Sequence, residues 1–539
     1  AAGFCGGQAF SIPLDAARFG TSWLNQGVQG GHDVYHHTFH FMRQHGFKAK
    51  RVNLSFSFGK GDQFWTNVYP TEFLRDHGAE VKKFKRAVET MRKLEAVFGI
   101  WPVRVTLKLW GFSEEFVERM VYPTLSLWFG TGNTTPNAPT AMLIAFFTNP
   151  HYGMWRPIDQ ESLIAHQPEM RVFPNMTDFY TTWKHALERR RVSIRFNTRV
   201  TSVVSRSSNQ GVKVTIVKRR LKSDVSIPAA YLPDGDDKDA ADVVEAYDEV
   251  VLCVGADAAL KILGENATRI ERKVLGRAKY SDDVTVTHCD TAYMKRHYEP
   301  EFLPEVAVYS LGTRDERTRV EEASRSFSPM YYVKHDELSP DKIEMSFNCS
   351  QFQPQLKQQN KPFRDQVFQT VFLNDENRAR WSKNEIDSRK MIRVDEFHQI
   401  RQGWQHYAFV VPFLSWLQSR KRHTHFAGAW TLMNAHEVAM MSGLAAAAAL
   451  GAGYPVELER DQWATTSFEA YYKIVYGKKE TARLIKERRK ANESKSGDKV
   501  KGKEKDGEKD GDKAKKSLGN RLSLPTLVKG STHSSSSTL

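Results

Sequence analysis

HFAGAWTLMNAHEVAMMSGLAAAAALGAG, residues 425–453, is the stretch that decides the fold. HFAGAW reads as a strand running into a turn, and HEVAMMSGLAAAAALGAG as a helix of small residues. Ser442, Gly443 and the unbroken alanines 445–449 would let a strand, another helix or a ligand come close to the helix backbone. The first turn of a helix holds N–H groups without intrahelical acceptors and a partial positive charge, which suits a phosphate or a carbonyl gathering negative charge. Gly428 and Ala429, just ahead of the helix, would keep that approach unobstructed. On these residues alone, a ligand site and a tight helix–sheet packing site are equally good readings.

Moving towards the amino terminus, YDEVVLCVGADAALKIL (247–263) gives a short buried strand at 250–254, a turn at Gly255 and a helix from about Asp257. VSIRFNTRVTSVV (192–204) alternates apolar and polar residues and predicts a strand, with 211–217 as its antiparallel return. The polar run 218–245 reads as a surface insertion. Apolar residues at Val81, Phe84, Val88, Met91, Leu94 and Phe98 are spaced by three and four, which predicts an amphipathic helix. Further helices are predicted at 33–45, 113–121, 139–148 and near 363–372, and one capped by Thr177 and ending at Arg189–Arg191. Strands are predicted at 284–288 and 342–348. The loop GTGNTTPNAP (130–139) is read as a chain reversal in preference to a pocket wall. Beyond the alanines come an aromatic helix at 468–476, a basic helix to about 491 and a low-complexity segment expected to be disordered to the end.

A chain of 539 residues exceeds the size at which one core keeps growing, so two domains are expected. A hydrophobic content of 40% is enough to fill them. The net charge of +15 invites a nucleic-acid or membrane reading, but 16 Lys/Arg against 8 Asp/Glu from Arg483 onward place +8 of it in the tail. The body shows no nucleic-acid module, and the mixed KE/KD tail reads as a soluble spacer with at most weak attraction to acidic lipids. Cys5, Cys253, Cys289 and Cys349 show neither zinc spacing nor a disulfide framework, and no run reaches the roughly 18 apolar residues that span a bilayer, so a reducing, cytoplasmic setting is expected. His36, His37 and His40 have metal-ligand spacing on a predicted helix, but no acidic or cysteine partner stands nearby in sequence, so no metal is expected.

The segment GAWTLMNAHEVAMMSGLAAAAALGAGYP resembles the carboxy-terminal FAD-binding segment of the flavin-containing amine oxidoreductases, and more closely that of predicted NAD/FAD-binding oxidoreductases of bacteria and fungi. AGFCGGQAFS (2–11) resembles the paired glycines, here Gly6 and Gly7, that follow the family's ribose-binding acidic residue; RFNTRV, ending at Val200, is similar to the strand near the adenine. The resemblance implies an α/β fold with a doubly wound FAD-binding domain made of 1–60, 180–263 and 415–480. An α+β substrate domain of 61–179 and 264–414 and a disordered basic tail, 490–539, would complete the chain. It implies FAD as cofactor, bound by Gly6, Gly7, Val200, Gly255, Gly428, Ala429, Trp430, His436, Glu437, Ser442 and Gly443. Trp404, His406 and Tyr407 would reach the ring face, unless they form a core aromatic cluster, which is the more common meaning of such residues. Hydride transfer from a small amine or lipid-like substrate is the implied reaction, with desaturation or isomerisation of an unsaturated chain as its variant. The family's first strand, GxGxxG loop and acidic residue have no counterpart here, so a fragment that holds FAD weakly or not at all, or a non-catalytic remnant, is also expected.

Overall fold

A computed structural model describes residues 3–149, 163–164, 167–207, 209–218, 242–309 and 314–501. The chain is a mixed α/β protein organised on a six-stranded sheet. In spatial order the strands are Met391–Ile400, Tyr280–His288, Phe368–Phe372, Ile343–Asn348, Tyr331–His335 and Phe56–Phe58. Neighbours are antiparallel except the last pair, in which Tyr331 aligns with Phe56 in parallel. Because side chains alternate along a strand, Val284 and Val286 point into a cluster with Tyr293, Tyr332 and Phe372. Asp283 and Thr285 therefore point to the opposite face, towards the cavity described below.

A second, parallel pair joins Val250–Leu252 to Thr424–Phe426. Each strand leads through a glycine turn into a helix, Ala256–Leu263 and His436–Ala449 respectively. Beside them Thr198–Ser207, Gly211–Lys218 and Val243–Tyr247 form an antiparallel three-stranded sheet. Helices Gly78–Lys93, Val103–Leu109, Tyr122–Phe129 and Thr140–Thr148 gather around Phe84, whose ring meets Phe147 at 4.9 Å. The predicted helix at 113–121 is a short α-turn continued by a π-turn at Val117–Val121. Pro123, which has no N–H, follows at once, so the register of the backbone bonds changes there.

Several sequence expectations need correction. The region 363–372 is a 3-10 turn followed by the strand Phe368–Phe372, not a helix. Every residue of that strand is buried, and a strand covered on both faces shows no alternation to read. Asn175, not Thr177, caps the helix Met176–Arg189, accepting from the Asp178 N–H, while the Thr177 hydroxyl accepts from the Ser11 N–H. The strand predicted from Val192 begins only at Thr198, because Arg191 and Asn197 take positive φ and break the extended run. Leu94 is 44% exposed, since the long helix stops at Lys93. Within 218–245, the strand beginning at Val243 replaces the end of the predicted insertion, and 219–241 lie outside the described residues. The last helix continues to Lys501, beyond the position 490 expected for the tail; the remainder lies outside the described residues. Among the described residues, no helix is long and apolar enough to cross a membrane.

Candidate cofactor and substrate cavity

The leading ends of two helices meet. The helix His36–Gln44 begins after Tyr35, which provides no side-chain cap. Glu437, from the first turn of His436–Ala449, takes that role: its carboxylate accepts from the His37 and Thr38 N–H groups at 2.9 and 2.8 Å. The His37 ring adds a third bond at 2.6 Å through Nδ1 and reaches the Tyr454 hydroxyl through Nε2. Burial on its own would push the Glu437 carboxyl up, but the His37 side chain and these backbone donors hold it below the usual glutamate range. His436 completes the junction, with Nδ1 3.0 Å from the Thr38 hydroxyl and Nε2 2.6 Å from that of Tyr180. Its burial pushes the imidazole down to about 4, so the ring is neutral at physiological pH.

The His436–Ala449 helix has no side-chain cap of its own. The N–H groups of His436, Glu437 and Val438 occupy its first turn, where no intrahelical acceptor exists. These three residues, with Asn434 and Ala435, line a cavity of about 380 Å3. The six-stranded sheet supplies its floor through Tyr331, Met345, Phe347, Val371, Leu373 and Phe397. Gly27–Gly31 and Trp128–Gly130 close it from other sides, so the 130–139 loop, read from sequence as a reversal, contributes Gly130 to the wall.

Several polar groups along the cavity are engaged in hydrogen bonds. The side-chain amide of Gln26 donates to Asp395 at 2.7 Å, that of Gln29 to Gln369 at 2.5 Å, and that of Asn434 to Gln399 at 2.6 Å. Asp283 differs. It is 5% exposed, and its Oδ1 accepts from the Asn374 N–H at 2.7 Å. Burial pushes its carboxyl up to about 7; the Asn374 bond and Arg401 oppose that rise, and Asp282 and Asp375 add to it.

The sequence-predicted positions separate clearly. His436 and Glu437 line the cavity, although the Glu437 side chain turns away to cap the neighbouring helix. Gly6 lies close by: at φ +114°, a Cβ there would come within 2.6 Å of the Tyr180 ring that bonds His436. Gly7 follows it and precedes Gln8, which lines the cavity. Val200, Gly255, Ala429 and Trp430 stand outside the lining. So does Gly428, whose N–H donates to Ser442 Oγ at 2.8 Å, so the approach expected to stay open is filled by the helix's own serine. Gly443 faces solvent, while Ala445, Ala446, Ala448 and Ala449 are core packing. Trp404, His406 and Tyr407 also lie outside the cavity. His406 and Tyr407 are buried against each other, and burial pushes the His406 ring down to about 4. His36 and His37 do have acidic partners, Asp461 and Glu437, each some 400 residues away and therefore invisible to local spacing. Asp283 was missed, although its signal was available: DDVTVTH alternates, and the acid falls on the face opposite the valines.

Neither a protein-family model nor a curated protein matches the chain in sequence. Among solved structures, a triple mutant of putrescine oxidase with redesigned cofactor binding aligns with a TM-score of 0.50 at 11% identity, covering 84% of this chain and 92% of that one. The chain shares its fold with this putrescine oxidase. Two further structures of similar fold are a CLA-producing fatty acid isomerase from P. acnes and cyclohexylamine oxidase from Brevibacterium oxydans. The isomerase gives a TM-score of 0.48 at 12% identity, over 84% of this chain and 91% of the other; the oxidase gives 0.46 at 12%, over 83% and 90%. In this chain the cavity lies between the uncapped helix end and one face of the large sheet.

Proposed function

We propose that the protein is an FAD-dependent oxidoreductase that takes hydride from a small amine or lipid-like substrate. The observation that carries this reading is the uncapped first turn of His436–Ala449 at the end of a largely apolar cavity. Three convergent backbone donors at a positive helix end fit an isoalloxazine carbonyl that gathers negative charge on reduction. His436 is neutral there, and the Glu437 carboxylate is turned away to the amides of His37 and Thr38. The bound flavin would supply the hydride acceptor. The residues of this chain would orient the ring, keep water from the apolar floor and position the substrate over Met345, Phe347 and Val371.

The test is anaerobic. The chain is saturated with FAD and mixed in turn with benzylamine, a long-chain amine and an unsaturated fatty acid while visible absorption is followed. Bleaching by an amine supports the reading. FAD that binds and is bleached by none of them removes substrate oxidation, and FAD that does not bind at all removes the cofactor assignment.

A further inference from the structure

Asp283 is a carboxylate whose presence the fold does not explain. Among the described residues its one side-chain hydrogen bond, accepted from the Asn374 N–H through Oδ1, could be met by asparagine or serine without burying a charge. Among the described residues it forms no ion pair. Arg401, whose charge acts on it, is itself paired with Glu376, and the adjacent Asp282 is engaged by His398. Neighbouring Asp282 and Asp375 repel it and Arg401 only partly offsets them, so the site would favour a further positive charge. The residues around it on the sheet face, Phe397, Val371 and Leu373, are apolar, and the amides of Gln26, Gln29 and Asn434 are engaged in hydrogen bonds of their own.

We infer that Asp283 determines the specificity of the cavity: its carboxylate receives the ammonium group of a cationic amine whose apolar body lies along the sheet floor. This rests on the cavity being the substrate site, as read above, and narrows that reading from amine or lipid to alkyl- or arylammonium compounds. A neutral chain would gain nothing from a buried carboxylate and would lose affinity to its desolvation. An ammonium donor at Oδ2 would make a charge-assisted hydrogen bond in surroundings shielded from water.

The experiment uses the full chain and two probes of one shape, benzylamine and benzyl alcohol, with binding followed by calorimetry. Asp283→Asn, which keeps an acceptor for the Asn374 N–H, and Asp283→Ser are the variants. The wild type should bind benzylamine about 10- to 100-fold more tightly than either variant, and benzyl alcohol no more tightly. Below pH 7 the wild-type affinity for benzylamine should fall about tenfold per unit as Asp283 takes up a proton, whereas the Asp283→Asn profile stays flat. Equal benzylamine affinity in wild type and Asp283→Asn, or a variant whose affinity falls below pH 7 as the wild type's does, overturns the assignment. Lumiflavin quenching in the same samples separates the two readings. Asp283-dependent amine binding without flavin binding keeps this inference and defeats the flavin reading. Flavin binding with Asp283-independent amine binding does the reverse.

Discussion

Replacing Asp283 with asparagine should stabilise the fold, and by more in alkali than in acid. In the folded chain the carboxyl titrates at about 7, against an ordinary 3.8, because burial penalises the anion. A group whose pKa rises on folding favours the folded state while it is protonated and loses that contribution as pH climbs through the folded value. Three units correspond to about 4 kcal/mol of anion burial that the wild type carries at pH 8, and to roughly 1.5 kcal/mol at pH 5, where the folded group is still neutral. Asparagine carries neither cost and keeps the acceptor for the Asn374 N–H. Denaturant unfolding of both proteins should therefore show a stability difference that widens by roughly 2–3 kcal/mol between pH 5 and pH 8, with the variant the more stable. A difference that does not change with pH, or a variant less stable at pH 8, would mean that Asp283 is already compensated in the folded chain. Asp283 would then not be a site waiting for a cation.

Glu437→Ala removes the acceptor of two helix amides and the partner of the His37 ring, all buried, and should cost about 3–5 kcal/mol in thermal unfolding. Because folding holds the Glu437 carboxyl below its usual value, the wild-type advantage over this variant should be present above the ordinary glutamate range and shrink as pH falls through the lower, folded value. A constant difference from pH 7 to pH 3 would contradict the capping role. Ending the chain at residue 490 removes a segment in which lysine and arginine outnumber acids, so co-sedimentation with anionic vesicles should drop at low salt and be indifferent to the truncation at high salt. Unchanged low-salt sedimentation would leave the tail a spacer.

What could be read in the sequence follows from range. The helix 436–449 and the strands that lead to it and to Ala256–Leu263 declare themselves through small residues, short apolar runs and glycine turns, all local. The strand Phe368–Phe372 does not, because burial on both faces erases the alternation that distinguishes strand from helix. The 425–453 segment announced the helix, yet assigned the approach to Gly428 and the alanines, whereas Ser442 fills the first and core packing takes the second. The Glu437 cap on His37 and Thr38 joins residues about 400 positions apart, and nothing in either segment announces the other. Asp283 lay within reach of the period-2 reading of DDVTVTH, but only the fold shows that its face looks onto a cavity.

The most direct test of the account is where a bare isoalloxazine binds. Lumiflavin, which has neither ribityl chain nor pyrophosphate, should enter crystals of the chain and rest with a pyrimidine carbonyl on the amides of His436, Glu437 and Val438. Lumiflavin bound away from that helix end, or excluded from the cavity at saturating concentration, would contradict it.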